Sequence, residues 1–315
     1  MKLQQLRYIL EIVRQNNHLS AAAEALHTSQ PGVSRQVQLL EAELGFEVFL
    51  RTRNRIIGPT EPGYQVLEIA KRVVTDMAAL KALKEDVNSG AHGTLTIGTT
   101  HTQARYVLPR VIEEFVRSHP DVQLVLRQGN PEDICAMVDS AEADIAIGTD
   151  TVAALPNLVK LPCFSLPRSV VARKDHPILQ VPELTLEAIA SYPIISYDQR
   201  YSGRWRVMKA FKAAGLDPKI ILSAIDADVC KTYIELGLGI GVLTTITFDP
   251  RRDTELGARD ASHLFEPSTI FISLRANTYL RAYMLDFIRA VAPKLTPAVV
   301  RAALRDANAG RAGEA

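Results

Sequence analysis

The chain has 315 residues, of which 47% are hydrophobic and 23% charged, and its formal net charge is +1. This length and composition are typical of a globular protein with about two domains. No apolar run is long enough to span a bilayer, and the first residues lack the apolar core of a signal peptide, so we expect a soluble, cytoplasmic protein with no membrane partner.

The stretch from Leu19 to Leu44 predicts two helices joined by a short polar turn. Apolar residues recur at helical spacing in the first helix, and Ser20 is placed to start it. Ser29 suits the N-cap of the second helix, with Pro31 in the first turn, where a missing N–H costs nothing. The apolar side of the second helix consists of Val33, Val37, Leu40 and Leu44. This pattern indicates a helix-turn-helix.

The polar side of the second predicted helix carries side chains suited to duplex DNA. Such a helix lies in the major groove, where arginine suits guanine and glutamine suits adenine, so Arg35, Gln30 and Gln38 are predicted to read bases. The hydroxyls of Ser29 and Ser34, with the free N–H groups of the first turn, are suited to phosphate. Two packed helices with a solvated polar face are the alternative. The DNA-binding candidates here are Ser29, Gln30, Pro31, Ser34, Arg35 and Gln38.

A basic hairpin is predicted after this helix. Arg51, Arg53 and Arg55 alternate along a strand-turn-strand pattern centred on Asn54, which brings them onto one hairpin. Up to Gly58 the chain has seven basic and five acidic residues. Such a wing supplies phosphate contacts, which dominate affinity for DNA. The alternative is a solvated edge hairpin whose charges keep it soluble.

A long helix is predicted from Thr60 to about Ser89, followed by a flexible break at residues 88–93. Its apolar residues recur at alternating spacings of four and three, as in a coiled coil. They are Val66, Ala70, Val73, Met77 and Leu80. We expect this helix to join two copies of the chain, with packing against its own domain as the alternative.

Strands alternate with helices in the rest of the chain, which predicts mainly parallel sheets in two α/β halves with a cleft between them. Strands are predicted near Thr94, Val122, Ala143, Val170, Ile194, Ile221 and Val242. Helices are predicted near Val107, Asn130, Val207 and Val229. An amphipathic helix is expected from Tyr279 to Ala292 and a short one after Pro297. Residues Asp306 to Ala315 are expected to form a loose tail.

Hydroxyl groups cluster where ligands bind in such sheets, beyond the carboxyl ends of strands. The segment Thr99–Tyr106 follows the first strand, Thr149 follows a later one, and Tyr201–Gly203 precedes a helix. Helix N-termini add free N–H groups, so a small anion or carboxylate is the expected guest. Ordinary helix capping is the alternative for each hydroxyl, and Arg105 suits either the site or the surface.

Other chemical motifs fail on inspection. The segment Gly237–Gly241 lies between a helix and a strand, the wrong end for a dinucleotide loop, and suits a helix C-cap. Asp226 and Asp228 flank a helix start, where both suit capping. The seven histidines show no metal-ligand spacing, and the three cysteines are odd in number and far apart, so no metal site or disulfide framework is indicated. We therefore expect no catalytic residues and no cofactor.

Three segments resemble the LysR-type transcriptional regulators: LSAAAEAL at 19–26, TSQPGVSR at 28–35 and LEAELGFEVFLR at 40–51. The resemblance implies a helical N-terminal winged helix-turn-helix, a linker helix, and an α/β effector domain of two periplasmic-binding-protein-like halves. The DNA-binding domain corresponds to residues 1–59, the linker helix and hinge to 60–92, and the effector domain to 93–305. The tail at 306–315 follows. The resemblance also implies that the chain forms a homodimer or homotetramer, with promoter DNA and RNA polymerase as partners.

The segments at 99–106, 226–233 and 236–242 are similar to one branch of that family, the CysB-type regulators of sulfur assimilation and cysteine synthesis. That resemblance implies sulfate, thiosulfate or O- or N-acetylserine as the effector. It implies binding by Thr100, Thr102, Gln103, Thr149 and Ser202. Close relatives usually carry threonine at position 202. Serine keeps the hydroxyl but loses a methyl group, so anion binding is expected to survive while ligand preference stays open. The wing arginines are also spaced differently, which leaves the promoter sequence open.

These observations favour a regulator of sulfur assimilation and cysteine biosynthesis genes that is not an enzyme. Control of another sulfur source, such as sulfonate use, is an alternative. Less favoured are a solute-binding protein and an enzyme on the same two-lobed scaffold, because fold does not fix function.

Overall fold

The computed structural model describes residues 1–53, 55–89, 92–151 and 155–312. The chain divides into two compact units, one formed by Met1–Gly90 with Asn277–Tyr279 and the other by Ala91–Ala276 with Leu280–Ala315. No helix within the described ranges is long and apolar enough to cross a membrane. The break predicted around Gly90 and Ala91 lies outside the described residues.

The first unit opens with three helices, as the sequence predicts. They are α1 (Leu3–Arg14), α2 (Leu19–Ala25) and α3 (Gln30–Leu44). The apolar side of α3 is confirmed, because Val33, Val37 and Leu40 are fully buried with Ile9 and Ile12 of α1. The helix ends at Gly45, whose φ of +80° is the left-handed conformation that glycine adopts at helix ends without strain.

A hairpin and a long helix complete the first unit: β1 (Phe49–Thr52), β2 (Arg55–Pro59) and α4 (Glu61–Ser89). The strands pair antiparallel, with Thr52 opposite Arg55, which confirms the predicted wing. The turn residue Asn54 lies outside the described part of the chain. Helix α4 begins as predicted, with the Thr60 hydroxyl accepting a hydrogen bond from the Gly63 N–H at 2.9 Å.

The apolar residues of α4 divide between two environments. Ala70 is fully buried and Val66 packs against the core of the first unit, which is the alternative considered for this stripe. Val73 and Leu80 are exposed, and so are two apolar residues outside the predicted stripe, Ile69 and Leu83. The exposed stripe is therefore rotated from the predicted one, because the N-terminal half of the helix packs on its own domain.

The second unit begins with one α/β half and continues into another. The first half contains β3 (Gly93–Thr99), α5 (Leu108–Ser118), β4 (Val122–Gln128), α6 (Pro131–Asp139), β5 (Ile145–Thr149) and β6 (Leu158–Leu166). The second contains β7 (Arg168–Arg173), α7 (Leu186–Ala190), β8 (Ile194–Tyr197), α8 (Ser202–Ala213), β9 (Ile220–Ala224), α9 (Ala227–Glu235), β10 (Ile240–Thr244) and β11 (Leu256–Asp260). The predicted alternation is confirmed.

The chain then returns to the first half through β12 (Ser268–Arg275), α10 (Ala282–Val291) and α11 (Pro297–Ala312). The two five-stranded sheets have the strand orders β4-β3-β5-β12-β6 and β11-β7-β10-β8-β9. Both are mixed rather than mainly parallel, since β12 runs antiparallel to β5 and β6, and β7 runs antiparallel to β10 and β11. The chain passes between the halves twice, at Pro167 and between Asp260 and Ser268.

The last two helices pack on the first sheet. The predicted apolar face of α10 is confirmed, with Tyr283, Phe287 and Ile288 buried among the sheet's residues. Helix α11 continues past Asp306 to Ala312, where the sequence suggested a loose tail. Its many alanines favour helix, and the Asn308 amide donates to the Ala276 carbonyl at 3.0 Å. Residues 313–315 of the predicted tail lie outside the described ranges.

Candidate functional site

The exposed side of α3 presents the residues predicted to contact DNA. Ser29 caps the helix, because its hydroxyl accepts from the Gly32 N–H at 3.3 Å. Pro31 lies in the first turn, and no acidic residue shares that turn. The partial positive charge of the helix start is therefore uncompensated there. Among the remaining candidates, Gln30, Arg35 and Gln38 are exposed and Ser34 is half-buried.

The three wing arginines lie in different environments. Arg51 Nη2 lies 2.7 Å from Glu41 Oε2, while Glu41 Oε1 accepts from the N–H groups of Val48 at 2.9 Å and Phe49 at 3.2 Å. Arg51 thus fastens β1 to the end of α3, a role that the sequence did not reveal. Arg53 is exposed in a left-handed conformation beside the turn, and Arg55 is exposed at the start of β2.

A groove of about 410 Å³ joins the wing to the start of α3. It is lined by Asn17, His18, Leu19, Ser20, Gln30, Arg55 and Ile56. Gln30 and Arg55 therefore face the same opening although they are far apart in the chain. This brings a candidate base contact and a candidate phosphate contact onto one surface.

In the second unit, the strand β3 ends at the predicted anion-binding segment. The chain becomes helical at His101, with the Ala104 N–H bonded to the Thr100 carbonyl at 3.0 Å, and it widens into a π-helical turn over Gln103–Val107. Such widened turns often occur at functional sites. Thr100 and Gln103 are buried, and Thr102 is half-buried at the first turn. Three predicted ligands therefore surround one helix start.

A small cavity of about 40 Å³ between the two halves brings the predicted residues together. Thr100, Thr102, Gln103 and Thr149 line it from the first half, and Tyr201 and Gly203 line it from the second. Ser202, the fifth predicted residue, lies between those two at the start of α8 and is buried. One water needs about 10–15 Å³, and pockets for drug-sized ligands measure roughly 300–1,000 Å³, so this space fits a compact ligand.

Buried polar atoms in the cavity wall, at Gln103, and beside it, at Ser202, are still free to bind a ligand. In the described part of the chain, Gln103 Oε1 and Ser202 Oγ have no hydrogen-bond partner. Buried polar groups are normally hydrogen-bonded, so orphaned ones in a cavity indicate a missing ligand or water. The amide of Gln103 can turn to present its N–H₂ group, which makes both side chains potential donors to an anion.

Several residues that line this cavity were missed from the sequence. Tyr197 ends β8, Thr244 ends β10 and Ser268 begins β12, so all three reach the cavity from strand ends. Behind Ser268 lies Arg168, which is completely buried and donates to the Ser268 hydroxyl at 2.7 Å. Strand ends are the one sequence signal that could have suggested these residues, because ligands gather there.

A second, larger cavity of about 600 Å³ lies beside the π-helical turn. Tyr106 donates to Asp228 Oδ1 at 2.6 Å, and Arg105 Nε lies 2.7 Å from Asp228 Oδ2. Lys231 is buried and donates to Asp253 at 2.9 Å and to Tyr106 at 3.1 Å. These five residues form an ionic cluster that ties the first half of the unit to the second.

The pKa values in this cluster follow from its ion pairs. Burial raises the pKa of Asp228, but the Tyr106 hydroxyl and the charges of Lys231 and Arg105 outweigh it, so the net shift is downward. Burial lowers the pKa of Lys231, but hydrogen bonds to Asp253 and Tyr106 outweigh it, so the net shift is upward. Asp228 therefore binds its neighbours instead of capping α9, whereas Asp226 does cap that helix, accepting from the Val229 N–H at 2.8 Å.

His101, Asp226 and Asp228 place three potential metal-ligand atoms within 4.8 Å of one another. Both carboxylates already have other partners, the helix cap for Asp226 and the ionic cluster for Asp228. His101 also lines the anion-sized cavity, with Nε2 at 3.7 Å from Asp228 Oδ2. This grouping therefore joins the small cavity to the ionic cluster.

The cysteines are free thiols in the described structure. Burial raises the pKa of the Cys163 thiol to about 11 and that of Cys230 to about 12. Thiolate is the reactive form, so burial disfavours the reactive state of both side chains. The glycine motif is also structural, because Gly237 has a φ of +76° just past the end of α9, as its predicted C-cap role requires.

Comparisons with protein families match both units. A family described as "Bacterial regulatory helix-turn-helix protein, lysR family" matches residues 3–64. The "LysR substrate binding domain" family matches residues 88–296. The two matches contain the exposed face of α3 and the small cavity, respectively.

Individual proteins match over nearly the whole chain. The HTH-type transcriptional regulator SsuR of Burkholderia cenocepacia is 46% identical, over 98% of this chain and 100% of that protein. The regulator CysB of Haemophilus influenzae is 44% identical, over 98% of this chain and 96% of that protein. The crystal structure of the cofactor-binding domain of the Cbl transcriptional regulator is 39% identical, with a TM-score of 0.65, and covers 68% of this chain and 94% of that one.

Proposed function

Because the chain belongs to the LysR family of transcriptional regulators, in the branch of SsuR, CysB and Cbl, we propose that it controls sulfur assimilation and cysteine biosynthesis genes in response to a small anion. The family and branch resemblance drawn from the sequence motifs is thereby confirmed. The protein is a DNA-binding regulator with an effector domain, not an enzyme. The effector, its binding residues and the genes controlled are the proposal.

The small cavity is the observation that carries the proposal. Thr100, Thr102, Gln103, Thr149 and Ser202 offer hydroxyl and amide donors, and two helix starts add free N–H groups. An anion would satisfy the orphaned polar atoms of Gln103 and Ser202. The volume of about 40 Å³ favours sulfate or thiosulfate, with O- or N-acetylserine binding through its carboxylate.

The DNA side of the proposal uses the exposed face of α3 and the wing. Arg35, Gln30 and Gln38 read base edges, while Ser29, Pro31 and Ser34 form the helix start that receives phosphate. Arg53 and Arg55 add phosphate contacts from the wing. Arg51 acts indirectly, by holding the wing against α3 through Glu41. Two or four copies of the chain bind the promoter, and RNA polymerase is the partner that they influence.

Control of another sulfur source, such as sulfonate use, is the second candidate function. Ser202 favours it, because a serine replaces the threonine expected in the CysB-type branch and removes one methyl group beside the cavity. Such a change alters which tetrahedral anion fits best. Titration with sulfate, thiosulfate and an alkylsulfonate separates the two candidates by the order of the affinities.

Isothermal titration calorimetry tests the proposed effector site. Wild-type protein should bind at least one of sulfate, thiosulfate, O-acetylserine and N-acetylserine. The double variant Thr100→Val, Gln103→Ala should lose that binding while keeping its basal affinity for promoter DNA. Thr94→Val, at the opposite end of β3, is the matched control and should titrate like wild type. An unchanged titration of the double variant would contradict the site.

A further inference from the structure

Arg168 is a buried cation with unused hydrogen-bonding capacity. Its side chain has no exposed surface, Nη2 donates to the Ser268 hydroxyl at 2.7 Å, and Nε donates to the Glu266 carbonyl at 3.4 Å. Its third nitrogen, Nη1, has no partner among the described residues. Both bonds go to neutral oxygens, so no bonded group balances the positive charge.

The charges around Arg168 do not compensate it either. No carboxylate of the described chain lies within ion-pair distance of its guanidinium, and the nearby Arg206 carries the same sign. Arg206 is itself paired with Glu266 at 3.4 Å. Buried charges in proteins are normally paired, because an unpaired one costs several kcal/mol, on the order of its desolvation penalty. A bound anion would supply the opposite charge that this buried, unpaired guanidinium lacks.

Arg168 lies directly behind the small cavity. Ser268, to which it donates, lines the cavity, and so does Gly203. A Cβ built on Gly203 would stand 3.7 Å from Arg168 Nη1, so the free nitrogen lies just beneath the first turn of α8. Because Ser268 Oγ accepts from Arg168, its own hydrogen is free to point toward a ligand.

Arg168 also lies at the connection between the two halves. It is the first residue of β7, immediately after the first crossover, while Ser268 is the first residue of β12, immediately after the second. The backbones are joined there as well, with the Ala261 N–H donating to the Arg168 carbonyl at 2.9 Å. The guanidinium thus links both crossovers at the base of the cavity.

We infer that Arg168 is the counter-charge of the effector cavity, so that the site selects anions by net charge and not only by neutral donors. It acts through the Ser268 hydroxyl and through its field beneath α8, without being required to touch the ligand. This inference deepens the proposed function and rests on the same cavity. Its consequence is that a doubly charged anion gains more from Arg168 than a singly charged one of similar shape, since Coulomb energy scales with charge.

The test compares sulfate with methanesulfonate by calorimetry on full-length protein. Arg168→Gln should weaken sulfate binding tenfold or more and methanesulfonate binding by a smaller factor, and Arg168→Lys should recover part of the sulfate loss. Arg275→Gln is the matched control, because Arg275 is a half-buried arginine that donates to the backbone carbonyls of Val138 and Ala143 and does not line the cavity. It should bind sulfate like wild type.

Two results would overturn the inference: unchanged sulfate affinity in folded Arg168→Gln, or an equal loss for both anions, which would indicate a purely structural role. If Arg168→Gln does not fold, Ser268→Ala replaces it. Ser268→Ala should weaken sulfate binding several-fold more than methanesulfonate binding. An equal loss of affinity for both anions would again overturn the inference. Wild-type protein that binds no anion at all would instead remove the proposed function. Binding that Thr100→Val, Gln103→Ala abolishes but Arg168→Gln keeps would remove only the counter-charge.

Discussion

Arg35 is the side chain on which recognition of the DNA sequence most depends. It is exposed on α3, and arginine matches the paired acceptors of guanine. Arg35→Ala should lower discrimination between specific and random duplexes by about 1–3 kcal/mol. The measurement is a pair of DNA titrations at one fixed salt concentration, since affinity for DNA varies steeply with salt.

Arg14→Ala, an exposed arginine at the end of α1, is the control for general loss of positive charge. It should lower both affinities in proportion or leave them unchanged. An Arg35→Ala variant that keeps the wild-type ratio of specific to random binding would remove Arg35 from base reading.

Lys231 holds the ionic cluster together from the buried side. Its ammonium lies 2.9 Å from Asp253 Oδ1, and both side chains are more than nine-tenths buried. Lys231→Met leaves the Asp253 carboxylate buried without its partner, which should reduce the free energy of unfolding by about 3–5 kcal/mol. Lys231→Met with Asp253→Asn should recover most of that loss in urea unfolding. A double variant as unstable as the single one would show that the pair is not the cause.

At the residue scale, the sequence predicted several hydroxyl and amide side chains that line the small cavity but not their charged neighbours. Thr100, Thr102 and Gln103 lie within one strand-to-helix junction, so a local motif was sufficient to identify them. Arg168 and Ser268 are one hundred positions apart in the chain, and their contact depends on how the two crossovers pass each other. No local periodicity reports such a contact.

Among the elements, α4 carries the exposed apolar stripe through which copies of the chain are proposed to join. Ile69, Val73, Leu80 and Leu83 are exposed and fit the four-three spacing of a coiled-coil seam, with Asp76 at the intervening position. Val73→Glu with Leu80→Glu places like charges in that seam. Sedimentation should show a shift to monomers, while far-UV circular dichroism stays unchanged.

The control for that change is Arg72→Glu, because Arg72 is an exposed residue of α4 outside the stripe. Arg72→Glu should keep the wild-type oligomer. A Val73→Glu, Leu80→Glu variant with the wild-type sedimentation coefficient would mean that copies associate elsewhere.

The π-helical turn and α9 are tied by Asp228, and this tie has a defined pH dependence. The folded pKa of Asp228 is below its usual value, so its stabilisation is fully present above about pH 4 and is lost as the pH falls through the lower folded value. Asp228→Asn should therefore destabilise the protein at pH 7, and the difference from wild type should shrink below about pH 4.

Urea unfolding at a series of pH values measures that difference, with the exposed Asp121→Asn as the matched control. A difference between wild type and Asp228→Asn that stays constant from pH 7 to pH 3 would contradict the assigned ion pairs. A destabilisation that grows on acidification would contradict them as well, because it has the opposite sign.

The elements themselves were largely predictable, since apolar periodicity identified the helices of the first unit and the alternation of strands and helices in the second. What the pattern missed depends on long-range packing. The rotated stripe of α4 follows from burial of Ala70 in the first unit. The sheets are mixed because β12 returns antiparallel into the first sheet and β7 enters the second antiparallel to its neighbours. Neither the neighbour of a helix nor the direction of a returning strand is encoded in a short window of sequence.

For the whole molecule, effector and DNA are linked only if the anion binds two states of the protein with different affinity. The small cavity lies between the two α/β halves, beside both crossovers and the ionic cluster, so a ligand there contacts both halves of the unit. We therefore expect the anion to change the arrangement of joined copies on a promoter rather than to create or abolish DNA binding outright.

Genomic footprinting with and without added sulfate or thiosulfate tests that claim most directly. In cells with the wild-type protein, protected sites should lie upstream of sulfur assimilation genes, and their pattern should change when the anion is added. In cells with Thr100→Val, Gln103→Ala, the same sites should be protected in a pattern that no longer responds. An identical wild-type pattern in both conditions, or a response that persists in the double variant, would contradict the account.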